Sequence, residues 1–186
     1  YDVLVPGSGG KDSVYLSHVL KYKYKMNPLT VTWAPHIYTD IGWHNFQSWI
    51  HSGFDNELHT PNGKVHKILT QLAFKNLLHP FQPFAIGQFC LPPKIAIQKK
   101  INLIMYGDAN AEKALGGNMC TKDKTMDSQK IFTSENNQNI FLSGVHRSEL
   151  KKYKINNSDL WPYLPLDEKY FENTNIEVLN LPYFLN

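Results

Sequence analysis

The chain has 186 residues, of which 42% are hydrophobic and 19% charged; this is enough apolar material for a packed domain and excludes wholesale disorder. Nineteen basic residues against sixteen acidic ones leave a formal charge of +3, too small an excess to mark a nucleic-acid or membrane surface. Arg147 is the single arginine, so the planar fork that grips phosphates and guanines is nearly missing.

Val3, Leu4 and Val5 centre a short buried strand over Tyr1 to Pro6. Gly7 to Ser13 is too glycine-rich for a strand or a helix interior. Leu16, Val19 and Leu20 then recur at i, i+3 and i+4, which predicts a helix from about Ser13 to Lys25, ended by Asn27-Pro28. Leu29 to Trp33 reads as a second strand, giving a βαβ unit with parallel strands and a right-handed crossover. Further along, Phe46, Trp49 and Ile50 share a helical face within Trp43 to Ser52, and Glu57 to Thr60 is a candidate short strand. Val65, Ile68, Leu69, Leu72 and Ala73 form the clearest amphipathic helix. Phe81 to Gly87 reads as irregular, Pro93 to Lys100 as a shorter helix opened by Pro92-Pro93, and Leu103 to Tyr106 as a strand ending at Gly107-Asp108. Alternating strands and helices predict an α/β fold, with helices flanking a mostly parallel sheet.

Composition divides the chain into three stretches. Residues 1–115 carry the α/β pattern, 116–140 are polar and read as a loop or lid, and 141–186 are an aromatic-rich extension. The extension contains Trp161, Tyr163, Tyr170, Phe171, Tyr183 and Phe184. It is expected to pack on the sheet edge, on another subunit as in a homodimer, or on a further region of a longer chain. The opening residues read as a strand rather than a leader, and the chain is expected to be part of a longer polypeptide.

The chemistry concentrates in Ser8-Gly9-Gly10-Lys11-Asp12-Ser13, between the first strand and the first helix. Ligands of open parallel sheets bind beyond the carboxyl ends of the strands, and a helix start offers unpaired N–H groups to an anion. Gly9 and Gly10 allow close approach of phosphate oxygens, the hydroxyls of Ser8 and Ser13 can donate to them, and Lys11 adds charge. Asp12 would repel phosphate alone, which points to a bridging Mg²⁺. The Walker spacing fails because Val5 stands where its first glycine belongs and Asp12 follows Lys11. The dinucleotide fingerprint fails because Asp12 occupies its third glycine position.

S-G-G-x-D-S after an N-terminal strand resembles the loop of the PP-loop ATP pyrophosphatases, whose fold is the adenine nucleotide alpha hydrolase-like one. The likeness extends beyond the loop. Asn27-Pro28-Leu29 with Val31-Thr32-Trp33-Ala34-Pro35, then Ile37 to Gly42, His51 to Asn56, Thr60 to Lys64, Pro83 to Gln88 and Tyr106-Gly107-Asp108 are similar to the N-acetyl sugar amidotransferases of pseudaminic acid biosynthesis. The resemblance runs from Tyr1 to about Gly117. It implies cleavage of ATP between its α and β phosphates. The N-acetyl oxygen of a sugar or nonulosonic acid is adenylated, and ammonia from a separate glutaminase displaces AMP to leave an acetamidino group. Two departures stand out: Pro92-Pro93 falls where the family keeps a continuous helix, and Asp108 stands where it tends to carry Glu.

On this reading Lys11, Asp12, Asp108 and Glu112 are the candidate catalytic residues, and Asp12 with Asp108 the candidate Mg²⁺ ligands. Ser8 to Ser13 hold the ATP phosphates, while Val31 and Trp33 at the end of the second strand face the adenine. Asp40 and His36 are candidate contacts to the N-acetylated sugar acid. Asp40 could equally serve the start of a helix, and Trp33 could equally be a buried core aromatic. The histidines at 36, 44, 51, 59, 66 and 79 show no H-x-x-x-H pair. Cys90 and Cys120 form no C-x-x-C, which excludes a disulfide scaffold or four-cysteine zinc site; Cys90 reads as a small buried side chain. Lys21, Lys23 and Lys25 read as a solvated face. No apolar run approaches the roughly 18 residues of a membrane helix, and a cytoplasmic setting is expected. The loop alone would also suit a PP-loop tRNA-modifying enzyme of thiolase or lysidine synthetase type, or a non-catalytic nucleotide-binding module.

Overall fold

A computed structural model describes residues 1–107, 133–134, 140–167, 171 and 173–181. Its frame is a five-stranded parallel sheet in the order β3-β2-β1-β4-β9, formed by Asp55–His59, Pro28–Trp33, Val3–Pro6, Leu103–Tyr106 and Glu177–Asn180. Two further pairs are small: β5 (Thr133–Ser134) with β8 (Leu166–Asp167), and the hairpin β6 (Phe141–Leu142) with β7 (Val145–His146).

Side chains alternate across the sheet as the pleat requires. Val3 and Val5 of β1 join Met105 of β4 on one face; there they meet Leu16 and Leu20, and Phe46 and Trp49 from α2 (Asp40–His51). Leu4, Leu29, Val31, Trp33, Ile104 and Tyr106 point to the other face, against α3 (Gly63–Leu77) and α4 (Gln82–Lys99). The sheet is therefore covered by helices on both faces, the arrangement in which parallel strands read as continuous apolar runs. Among the described residues no helix is long and apolar enough to cross a membrane.

Several boundaries differ from the sequence reading. The first helix, α1, starts at Lys11 rather than Ser13 and runs to His18, then widens into a π turn over Val19–Lys23. Thr39 caps α2, its hydroxyl accepting from Gly42 N–H at 3.0 Å, so that helix begins at Asp40. The largest correction concerns α4. Phe81 to Gly87 is not irregular, and Pro92-Pro93 does not restart the helix; it runs unbroken from Gln82 to Lys99. A proline inside a helix lacks the N–H for one ladder bond. Here Phe89 to Ala96 are all buried, so packing holds the helix across both prolines.

The aromatic C-terminal stretch adds to the frame instead of trailing from it. It contributes α5 (Asn157–Leu160), the 3₁₀ turn Trp161–Tyr163 and β9, which extends the sheet beyond β4. Tyr163 is 2% exposed within the α3/α4 core. Lys94, itself buried in α4, fastens this stretch by donating to the carbonyls of Trp161 and Leu164.

Candidate functional site

The strand order reverses between β1 and β4: α1 and β2 lie to one side of β1, and β4 lies to the other. This is the point at which open α/β sheets form a crevice at their carboxyl edge. The loop Ser8 to Ser13 leaves β1 at that crevice. Gly7 N–H donates to Val31 O at 2.9 Å, prolonging the ladder by one bond before the chain turns away. Gly9 makes the turn with φ +84°, and a Cβ there would lie 2.7 Å from the Phe46 Cα of α2. Only glycine meets both conditions. Val14 N–H then bonds Gly10 O at 3.0 Å, so the N–H groups of Lys11, Asp12 and Ser13 have no partner inside α1 and form its positive end.

The predicted loop residues divide by exposure. Ser8, Gly10, Lys11 and Asp12 are exposed, while Gly9 and Ser13 are buried. Ser13 Oγ donates to Gly10 O at 3.0 Å, so its proton shapes the loop. The backbone of β4 runs into the same place, since Gly107 backs onto the Asp12 carbonyl. Asp108 and Glu112, expected just beyond, lie outside the described residues, as do most of 116–140 and Cys120. Asp12 is thus the described carboxylate of the loop. Its exposure suits a Mg²⁺ ion, which keeps most of its waters and takes one or two carboxylates. Among the described residues no three His, Cys, Asp or Glu side chains gather into a metal-binding group.

Two chambers open beside the loop, and Ser8, Trp33 and Gln88 line both. The first, of about 140 Å³, is walled by Gly7, Val31, Phe89 and Tyr106 among others. The second, of about 270 Å³, lies toward Tyr38, Thr39 and Phe84. Val31 and Trp33 both line the first chamber. The Val31 carbonyl is already engaged by Gly7 N–H, which ties it to the loop.

Trp33 is 4% exposed and closely surrounded. Its ring lies 5.1 Å from His59 and 5.3 Å, edge-on, from Tyr163. A Cβ on Gly87 would approach it to 2.3 Å, so α4 crosses the indole where only hydrogen fits. Among the described residues the indole N–H has no hydrogen-bond partner. Trp33 is thus a wall of both chambers, not an open stacking platform.

Two histidines meet beside Trp33, with a third, His59, against its ring. His36 and His66 rings lie 4.0 Å apart, and His66 Nδ1 shares a 2.6 Å hydrogen bond with the Tyr163 hydroxyl. His66 is fully buried, and burial first, with His36 second, lowers its pKa to about 4. Burial also lowers that of His59, and raises that of Tyr163. His66 shares a helical face with Leu69 and Ala73, which was the available signal. His36 itself is exposed beside Phe84, at 5.8 Å between rings.

Asp40 is exposed in the first turn of α2, where a carboxylate favours the helix dipole. Cys90 is buried in α4; burial pushes its thiol up to about 11, which removes it as a nucleophile at neutral pH. Neither protein-family models nor curated proteins give a match to this chain.

Proposed function

We propose that the chain is an ATP-pyrophosphatase-type amidotransferase on an adenine nucleotide alpha hydrolase-like fold, acting on an N-acetylated sugar acid. The observation that carries the reading is the loop Ser8 to Ser13, set at the strand-order reversal between β1 and β4 with a chamber on either side of Ser8. In that chemistry Mg·ATP supplies an adenylyl group: the amide oxygen bonds to the α-phosphorus, pyrophosphate leaves, and ammonia then replaces the oxygen, which departs with AMP.

The roles of this chain's residues follow from their places. The N–H groups at the start of α1 and the Lys11 ammonium offset phosphate charge. Ser8, exposed at the junction of both chambers, is a donor to the same oxygens. Asp12 holds Mg²⁺ through an exposed carboxylate. Val31, Trp33 and the first chamber take the base. A separate glutaminase would supply ammonia, because the reaction needs a nitrogen nucleophile.

The test is pyrophosphate and AMP release from Mg·ATP with ammonium salt and a panel of N-acetylated sugars and nonulosonic acids. Release that depends on one sugar, with a product in which =NH has replaced =O, is the expected result. Mg·ATP binding without release across the panel would sink the amidotransferase and leave a nucleotide-binding module.

A further inference from the structure

The charged residues are spread unevenly along the chain. Between Glu57 and Asp108 there is no aspartate or glutamate, while Lys64, Lys67, Lys75, Lys94, Lys99 and Lys100 fall in that stretch. Lys94 is buried and Lys99 pairs with Glu57, whereas Lys64, Lys67 and Lys75 of α3 are exposed. Among the described residues none of these three has an ion-pair partner. At 3.6 residues per turn, Lys64, Lys67, Phe74 and Lys75 share the face opposite Val65, Leu69 and Ala73. That face ends at Leu78, where the chain turns toward α4.

The turn itself is apolar and exposed. Leu78 is 81% exposed and Phe81 66%, and Phe74 and Leu77 beside them are exposed as well. Single exposed apolar side chains are ordinary, but four within eight residues make a patch. The corner is well held. Leu78 N–H donates to Phe74 O at 3.1 Å and Gln82 N–H to His79 O at 3.1 Å. The β6–β7 hairpin braces it: Asn76 donates to Ser143 O at 3.0 Å, and Ser143 N–H to the Gln82 side chain at 3.1 Å. Leu78 also has φ +54°, a left-handed conformation that disfavours any residue with a Cβ. Among the described residues, the other helices that end this way do so at Lys100 and Lys154, both polar. A leucine held out in solvent at such a position gains nothing from the core.

Charge and shape select the partner. The lysines favour an anionic surface, and leucine and phenylalanine at a projecting corner favour one that is fluid and apolar just beneath. A symmetric contact with a second copy would bring the lysines of one α3 toward those of the other. A nucleic acid would gain no stacking from exposed leucines. We infer that the α3–α4 corner is a docking surface for an anionic lipid bilayer, with Leu78 and Phe81 entering the acyl boundary and Lys64, Lys67 and Lys75 lying against the headgroups. The +3 of the whole chain conceals this, because every acidic residue lies outside the stretch. The inference stands apart from the nucleotide reading, since the corner holds none of the residues assigned to ATP.

Co-sedimentation of the full chain with vesicles tests it, using phosphatidylcholine alone and phosphatidylcholine mixed with phosphatidylglycerol. The mixed vesicles should carry the protein down, pure phosphatidylcholine should carry little, and salt should weaken the binding. Leu78→Gly removes the projecting side chain and suits the left-handed backbone. Its thermal unfolding should be unchanged or higher, while its affinity for mixed vesicles falls about tenfold. Lys75→Gln should weaken binding about fivefold, and Lys154→Gln, at a different helix end, should leave it unchanged. Equal binding to both kinds of vesicle, or an unchanged affinity in Leu78→Gly, would overturn the inference. So would no binding to either, which would leave an acidic protein as the partner. A dimer seen by sedimentation velocity without lipid, and abolished in Leu78→Gly, would overturn it too and assign the corner to a second copy.

Discussion

The two faces of the sheet each bury a tryptophan, and they treat it differently. On the α1/α2 face Trp49 is 1% exposed, and its indole N–H donates to Ser17 Oγ at 3.2 Å. Ser17 in turn donates to Ser13 O at 2.6 Å, so that chain of donors ends on a backbone carbonyl of the loop helix. On the α3/α4 face Trp33 is nearly as buried, yet among the described residues its N–H is unpaired, and so are Nε2 of His59 and of His66 nearby. On the first face the tryptophan's polar group is answered within the fold, beside an apolar chamber of about 210 Å³ lined by Leu20, Met105 and Leu179. On the other, Trp33, His59 and His66 have ring N atoms left unpaired among the described residues, and Trp33 lines both chambers beside the loop. A buried polar group costs stability unless it is paired, so the second face carries a cost that the first avoids at its tryptophan.

The sharpest way to break this contrast is at the loop between the faces. Asp12→Asn should lower AMP formation by roughly 100-fold or more while leaving thermal unfolding unchanged, because the side chain is exposed. Full turnover in that variant would remove Asp12 from the chemistry. The next largest effect is acid sensitivity on the α3/α4 face. The pKa of His66 falls from 6.5 in the unfolded chain to about 4 in the fold, so the unfolded chain takes up the proton first. Stability should therefore drop as pH falls from 6.5 to 4, by up to about 3 kcal/mol, and no further below that. Urea unfolding across this range reads it, and His66→Gln should flatten that part of the profile.

A smaller effect is steric. Gly87→Ala places a methyl into the Trp33 ring and should cost about 1–3 kcal/mol in unfolding free energy, with an altered Trp fluorescence spectrum. The finest test compares the tryptophans directly. Trp49→Phe and Trp33→Phe remove similar apolar area, but only the first breaks a hydrogen bond. Trp49→Phe should cost about 1 kcal/mol more in chemical denaturation. Equal losses would show that the two faces are not distinguished by polar pairing.

What could be read from the sequence was local. The loop is six consecutive residues whose chemistry and strand-to-helix setting are visible without a fold, and β1, β2 and β4 are short apolar runs. The continuous α4 was hidden because Pro92-Pro93 is a breaker by propensity, while the packing that overrules it comes from the sheet and from Tyr163. Strand β9, a four-residue Glu-Val-Leu-Asn, has no periodicity of its own and is defined by pairing with β4. The second chamber depends on Trp33, Tyr38 and Phe84 arriving from a strand end, a loop and a helix. The grouping of histidines around Trp33 is likewise spatial, with His36, His59 and His66 coming from a loop, a strand end and a helix.

The pairing of Leu103–Tyr106 with Glu177–Asn180 has a kinetic side. Contacts within β1, α1, β2 and β3 close short loops, whereas this one joins segments far apart in the chain. Closing a longer loop costs more entropy, and folds rich in such contacts form slowly. On a ribosome the Ser8–Ser13 loop and its supporting strands would emerge and assemble well before β9 is available. Until then β4 presents a free strand edge, open to pairing with another nascent copy, and arrival of the last strand ends that interval.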